Sequence, residues 1–183
     1  MQKRQDISLR LKSETGSDYG LGRLLVAVRV RGTTDISPPQ RIILSRLGLR
    51  KINTAVFLKG TAGNIRLLKK VENYLTWGEA GQGLVRELVY RKLYGKVGEE
   101  RVQIKSNAQV EEHLGGELIC LEDIITELLG LGERMKDITD FIFPFKLTTP
   151  EGTLASRIRK PVGDNGHWGY RGEDINRYVQ LMI

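Results

Sequence analysis

The sequence predicts a small α/β sandwich over residues 23–77, followed by a longer mixed segment. Three observations predict it. The run Leu24-Leu25-Val26-Ala27-Val28-Arg29-Val30-Arg31 alternates as a strand does, and Ser37-Pro38-Pro39 opens a helix that Leu47-Gly48 closes. The order strand, helix, strand, helix, short strand is then complete by Trp77.

In the first strand Leu24, Val26, Val28 and Val30 share one face, and Leu25, Ala27, Arg29 and Arg31 the other. That alternation predicts a half-buried strand whose second face turns polar at its end. Ser37 suits an N-cap and Pro38 the first helical position. The first helix runs to about Leu47, where Gly48 can take a left-handed cap. Thr54–Leu58, β-branched and aromatic, is the second strand. Thr61 is placed to cap a second helix, in which Ile65, Leu68, Val71 and Leu75 recur every three or four residues. Its other side carries Arg66, Lys69, Lys70 and Asn73, and Tyr74–Trp77 reads as a third, short strand.

After the glycine-rich turn Gly78–Gly83, a third helix over about Leu84–Tyr94 turns Leu84, Val85, Leu88 and Val89 inward. A strand over Arg101–Lys105, a short helix over Asn107–Leu114 and acidic helices over Leu121–Leu129 and Glu133–Asp140 follow. Pro144, Pro150 and Pro161 mark a largely irregular tail that ends in a helix over Glu173–Met182. Residues 1–22, polar and carrying Gly16, Gly20 and Gly22, form an extension ahead of the first strand.

Charge narrows the function. The chain of 183 residues carries a net charge of +7, which makes a polyanion the leading partner. Residues 1–110 hold 21 lysines and arginines against 9 acids, whereas residues 111–140 hold 2 against 9. One molecule therefore has a cationic part and an acidic part. The single cysteine, Cys120, precludes an internal disulfide and fits a reducing compartment. No stretch approaches the length of a membrane span, and the first residues lack the apolar core of a secretory signal, so cytoplasm is the expected location.

The basic set comprises Arg29 and Arg31 at a strand end, Arg41 and Arg46 on the first helix, Arg50 and Lys51 after its glycine, and Arg66, Lys69 and Lys70 on the second. Guanidinium forks take phosphate oxygens in pairs, and each neutralised phosphate releases counterions. The competing reading of any charge run is a solvated surface. Against it, the first helix has no acid and the second none before Glu72. Arg86, Tyr90 and Tyr94 stand at i, i+4 and i+8 with Arg91 and Lys92 alongside; the rings could stack on unpaired bases, but packing at a domain edge is the favoured reading.

Other chemistry is weakly signalled. Gly81-Gln82-Gly83 is a lone G-x-G, and Arg86 stands where a dinucleotide fingerprint needs a small residue. His113 and His167 have no companion at metal-ligand spacing, and Cys120 has no nearby partner in sequence. No cofactor, metal, small-molecule substrate or catalytic residue is expected.

These residues together carry a resemblance. Leu24 to Gly32, Ser37-Pro38 and Leu47-Gly48-Leu49-Arg50 resemble the ribosomal large-subunit protein L thirty family, called L seven in eukaryotes. Trp77-Gly78, Val85-Arg86-Glu87-Leu88-Val89-Tyr90, Tyr94-Gly95-Lys96, Phe143-Pro144-Phe145-Lys146-Leu147 and Glu173-Asp174-Ile175-Asn176-Arg177 look like its eukaryotic branch. The resemblance covers roughly residues 23–183, with the compact bacterial members matching about 23–78.

It implies an α+β fold in three parts. These are an N-terminal extension (1–22), a ferredoxin-like three-stranded antiparallel sheet with two helices on one face (23–78), and a C-terminal α/β extension (79–183). It also implies a structural, non-catalytic role in the cytosolic large ribosomal subunit, with nucleolar assembly and large-subunit rRNA as partner. By position Arg29, Arg31, Arg41, Arg46, Arg50 and Lys51 fall where the family's basic core meets rRNA. Arg66, Lys69, Lys70, Arg86, Arg91, Lys92 and Lys96 complete the candidate RNA-binding set. Acidic residues 111–140 are expected to face solvent or a basic neighbouring ribosomal protein. Eukaryotic members usually carry a long basic N-terminal arm, whereas about 22 residues precede the core here, so arm contacts are expected to be shortened. A ribosome-assembly factor of the same fold is the alternative.

Overall fold

The first strand is the centre of the molecule. The computed structural model describes residues 19–33, 36–98, 100–115, 118–150, 160–164 and 166–183. β1 (Leu24–Arg29) is buried along its whole length. Leu24, Val26 and Val28 enter one hydrophobic core, and Leu25 and Ala27 enter a second on the opposite face. The strand expected to be half-buried is thus covered on both sides, the sheet lying between two layers of helices.

β2 (Thr54–Lys59) and β3 (Leu75–Glu79) flank β1, both antiparallel to it. α1 (Pro38–Arg46) and α2 (Ala62–Lys70) supply the first layer, with Leu44, Ile65 and Leu68 buried against Leu25, Ala27 and Trp77. Their ends follow the sequence signals. The Ser37 backbone N–H and hydroxyl donate to the Gln40 side-chain oxygen (3.4 and 3.0 Å), and the Thr61 hydroxyl accepts from the Asn64 N–H at 3.3 Å. Gly48, two residues past α1, has φ +78°. Leu75, in phase with the α2 stripe, instead opens β3 after a 3-10 turn over Glu72–Tyr74.

The second layer comes from the later sequence. α3 (Gln82–Lys92), α4 (Asn107–Leu114), α5 (Leu121–Gly130) and α6 (Met135–Phe141) bury Leu84, Leu88, Val110, Ile124, Leu128 and Ile138 over the other face of β1. β4 (Tyr94–Val97) and β5 (Glu100–Gln103) form a separate antiparallel hairpin, so Tyr94 leaves the helix predicted for it.

Two strands arise where the sequence reads as irregular tail. β6 (Phe145–Lys146) pairs antiparallel with β2, and β7 (Gly169–Gly172) pairs parallel with β3. The sheet therefore has five strands, ordered β6-β2-β1-β3-β7, and not the three expected. Both additions are too short, and too poor in alternation, to announce themselves. Phe145 anchors one by meeting the Phe57 ring edge-on at 5.2 Å, and Tyr170 anchors the other against Trp77 at 4.7 Å.

α7 (Ile175–Gln180) closes the chain over β3. Its Asn176 amide donates to the Glu79 carbonyl (3.1 Å) and accepts from the Gly81 N–H (2.7 Å), fastening the end of the chain to the β3–α3 turn. The Gly81-Gln82-Gly83 turn is thereby occupied by the protein's own side chain. Most of the expected N-terminal extension, residues 1–18, lies outside the described residues, as does 151–159 of the tail. Among the described residues no helix is long and apolar enough to cross a membrane.

Gly78 marks how closely β7 approaches β3. A Cβ there would overlap the Gly172 carbonyl oxygen and crowd Ile175, at the point where the β3–β7 register shifts. Gly78→Ala is expected to cost about 2 kcal/mol by forcing β7 and α7 away, measured as a fall in the urea unfolding midpoint. Gly83→Ala, whose Cβ would meet nothing within 4 Å, is expected to hold or gain stability. Equal midpoints for the two variants would show that the strand approach is not tight.

Candidate nucleic-acid interface

Arg29 ends β1 and is only 2% exposed. Its guanidinium donates to four backbone carbonyls: Arg31 (2.9 Å), Gly32 (3.0 Å), Leu49 (2.9 Å) and Arg50 (2.7 Å). Burial lowers its pKa from the usual arginine value, and the nearby Tyr74 phenol opposes part of that shift. Arg29 therefore does not face a phosphate, contrary to the sequence reading. It is the brace that fixes the backbone of Arg31 and Arg50, two residues that remain candidates. A five-donor planar fork is the side chain suited to the task.

Around that brace the exposed cations separate into groups. Arg46, at the end of α1, and Arg50 and Lys51, in the following turn, line a groove of about 710 Å³. Arg50 Nε donates to the Ser45 hydroxyl at 3.0 Å, and the Lys51 carbonyl accepts from the Thr54 hydroxyl at 2.6 Å, so both turn residues are held. The opposite wall is built by β4, β5 and the segment from α6 to β6, which adds Lys96, Arg101 and Lys146. Lys96 Nζ donates to the Asp140 carbonyl at 2.6 Å. The Arg101 guanidinium lies over the Tyr94 ring at 4.0 Å and stands 5.8 Å from that of Phe143. Among the described residues, six cations thus line one groove with a single acid, Asp140.

The second group is on α1 and α2. Arg41, Arg66 and Lys70 are exposed, and Lys69 Nζ sits 3.9 Å from the centre of the Tyr19 ring. Gln40 donates to the Lys70 carbonyl at 3.4 Å, which brings the first turn of α1 beside the last turn of α2. Arg31 lies over the Tyr74 ring at 5.4 Å.

The α3 cations have acidic company. Arg86 pairs with Glu122 of α5 at 2.9 Å, and the Tyr90 hydroxyl donates to the other oxygen of the same carboxylate at 2.8 Å. These two hydrogen bonds hold the Glu122 carboxyl below its usual range, and the carboxylate raises the Tyr90 hydroxyl. Arg91 pairs with Glu87 on its own helix at 3.0 Å, and Lys92 is half-buried. Arg86 thus joins two helices of the second layer, Arg91 is paired within its own helix, and neither is among the residues lining the groove.

Part of the acidic stretch serves the fold as well. The Asp123 carboxylate accepts a hydrogen bond from the Cys120 thiol and others from the Cys120 and Ile119 N–H groups (2.8 and 3.0 Å) at the start of α5, and these hold the Asp123 carboxyl below its usual range. Glu127 accepts from the Arg134 N–H at 2.8 Å. His167 Nδ1 lies 3.1 Å from the Tyr178 hydroxyl, and the His113 ring lies 6.2 Å from that of Phe141.

Sequence reasoning found Arg46, Arg50, Lys51 and Lys96 but missed Arg101, Lys146 and Phe143 as members of one site. The signal was present in Phe143-Pro144-Phe145-Lys146, where aromatic and basic residues adjoin. Only the β2–β6 pairing brings that segment to the turn after α1.

Comparison with known proteins places the sequence among a set of relatives. The family model described as ribosomal protein L30p/L7e matches residues 25–75, from within β1 to the start of β3. Across nearly the whole chain the sequence is similar to proteins named large ribosomal subunit protein uL30. It is 34% identical to that of Neurospora crassa over 180 residues, spanning 98% of this chain and 70% of the relative. It is 35% identical to uL30B of Schizosaccharomyces pombe over 185 residues, spanning 99% and 74%. It is 32% identical to the Caenorhabditis elegans protein over 185 residues, spanning 99% and 75%.

Arg29→Met is expected to destabilise the protein by about 3 kcal/mol, since one buried and three part-buried carbonyls lose their donor. Arg29→Lys should restore little, because one ammonium cannot reproduce the fork. Arg41→Ala, on the exposed face of α1, should change stability by no more than about 0.5 kcal/mol. Urea denaturation followed by circular dichroism checks the set, and equal midpoints for the Met and Ala variants would remove the bracing role.

Proposed function

The chain belongs to the ribosomal protein L30p/L7e family, and we propose that it is a structural constituent of the large ribosomal subunit that binds rRNA through its basic groove. The observation that carries this reading is the convergence of Arg46, Arg50, Lys51, Lys96, Arg101 and Lys146 on one groove. Cations from a held turn and a held hairpin neutralise several phosphates at little conformational cost. Such contacts fix position and orientation, and they carry no base sequence. No step of bond making is involved; the protein acts by occupying and stabilising a fold of RNA.

Within this reading β1, β2, β3, α1 and α2 form the ferredoxin-like unit over residues 23–78, carrying Arg31, Arg41, Arg66, Lys69 and Lys70 as further phosphate contacts. Residues 79–183 complete the groove and turn the acidic stretch 111–140 toward neighbouring basic ribosomal proteins. The protein works in cytoplasmic ribosomes after assembly into the subunit in the nucleolus.

Arg46→Ala, Arg50→Ala and Lys51→Ala combined should reduce the magnitude of the salt slope of rRNA binding by about 2 to 3. Filter binding to large-subunit rRNA across a salt series measures this. Arg86→Ala, which removes a cation already beside Glu122, should leave the slope nearly unchanged. A triple variant with the parental slope and affinity would dismiss the groove as the rRNA-binding face.

A further inference from the structure

The groove has a property that phosphate binding does not require. Besides its cations it is walled by Val56, Leu58, Ile142, Phe143 and Pro144, which is an apolar surface beneath a charged rim. Its volume of about 710 Å³ falls in the range of sites that enclose a small organic group, about 300–1,000 Å³. A backbone running over a flat basic face would leave such a recess unused. Arg101, in the same wall, keeps a buried Nε–H with no hydrogen-bond partner among the described residues, and a buried donor of this kind calls for an acceptor.

We propose that this groove receives one unstacked nucleotide of the bound RNA. Its base packs against Phe143 and Pro144, and its phosphates lie among Arg46, Arg50 and Lys51 at the rim. The inference rests on the proposed rRNA-binding reading and adds to it a single-nucleotide site. Charge complementarity selects the occupant, because the cationic rim repels a basic peptide and the aromatic wall suits a base. An unpaired base splayed from its helix is the usual partner of an aromatic side chain in RNA recognition. Phe143 is held for that role by its backbone N–H, which donates to the Tyr94 carbonyl at 2.8 Å. The hairpin that carries Arg101 and the segment that carries Phe143 thus move as one wall.

The test compares a 12-nucleotide oligouridylate with an abasic ribose-phosphate oligomer of the same length and charge, both titrated into the full chain at low salt. The oligouridylate should bind about tenfold tighter. Phe143→Leu, which keeps the wall apolar but removes the ring, should erase most of that difference without altering the salt slope. Equal binding of the two oligomers by the unaltered chain overturns the proposal, and that comparison needs no variant to fold. A preference that persists in a folded Phe143→Leu protein also overturns it, by assigning the base to another place. Failure of the broader reading looks different: neither oligomer would show a salt slope that falls in the Arg46, Arg50 and Lys51 triple variant. Equal binding with that slope retained leaves the RNA face standing and removes only the nucleotide.

Discussion

The two loops at one end of the central strand, which carry Arg31 and Arg50, depend on a buried guanidinium. Arg29 closes a strand that is apolar up to that point, and its four carbonyl partners lie in the two loops that leave the sheet at that end. Removing a charge from water is expensive, and here the expense is offset only if all those carbonyls stay where they are. The loops are therefore fixed by the same interaction that makes the buried charge tolerable. Arg50 follows from this: its backbone is clamped by Arg29 and its side chain by Ser45, so its charge is presented without a large loss of freedom on binding.

The later sequence covers the second face of the sheet that this strand centres. The family model ends at residue 75, yet relatives align over nearly all of the chain. Residues 25–75 alone would leave Val26, Val28, Ala55 and Phe57 as an open apolar face. Helices α3 to α7 cover that face, and β6 and β7 pair with the two outer strands of the central three. The later sequence thus covers the sheet and is joined to it by backbone pairing at both margins.

How much of this was legible in the sequence depended on element length and local signal. The helices were readable because capping residues and three-to-four spacing coincide, as at Thr61 with Ile65 and Leu68. β6 and β7 were not, since a two-residue strand has no period and β7 contains glycine at both ends. Arg29 was misread for a physical reason: its alternation with Arg31 looks like a strand becoming polar, and composition cannot reveal that carbonyls will surround one arginine and leave the next half-exposed. Arg46, Arg50 and Lys51 were found because they are neighbours in sequence. Arg101 and Lys146 were not, because their proximity exists only in the fold.

The position of the groove then has a consequence for how the two parts of the sequence are coupled. One wall belongs to the turn after α1, and the other to Lys96, Arg101 and the segment from Thr139 to Lys146. The walls are joined through the pairing of Thr54 with Lys146 and Ala55 with Phe145, and through the burial of Phe145 against Phe57. A slip of one residue in that pairing would exchange Phe145 and Lys146 between core and surface, since side chains alternate along a strand. Burial of the Phe145 ring is therefore what sets the Lys146 charge on the outer side, and the register of two residues decides whether the groove carries its sixth cation. The charge pattern of the site is in this sense a by-product of core packing, which ties the retention of a basic groove to the stability of the sheet that bears it.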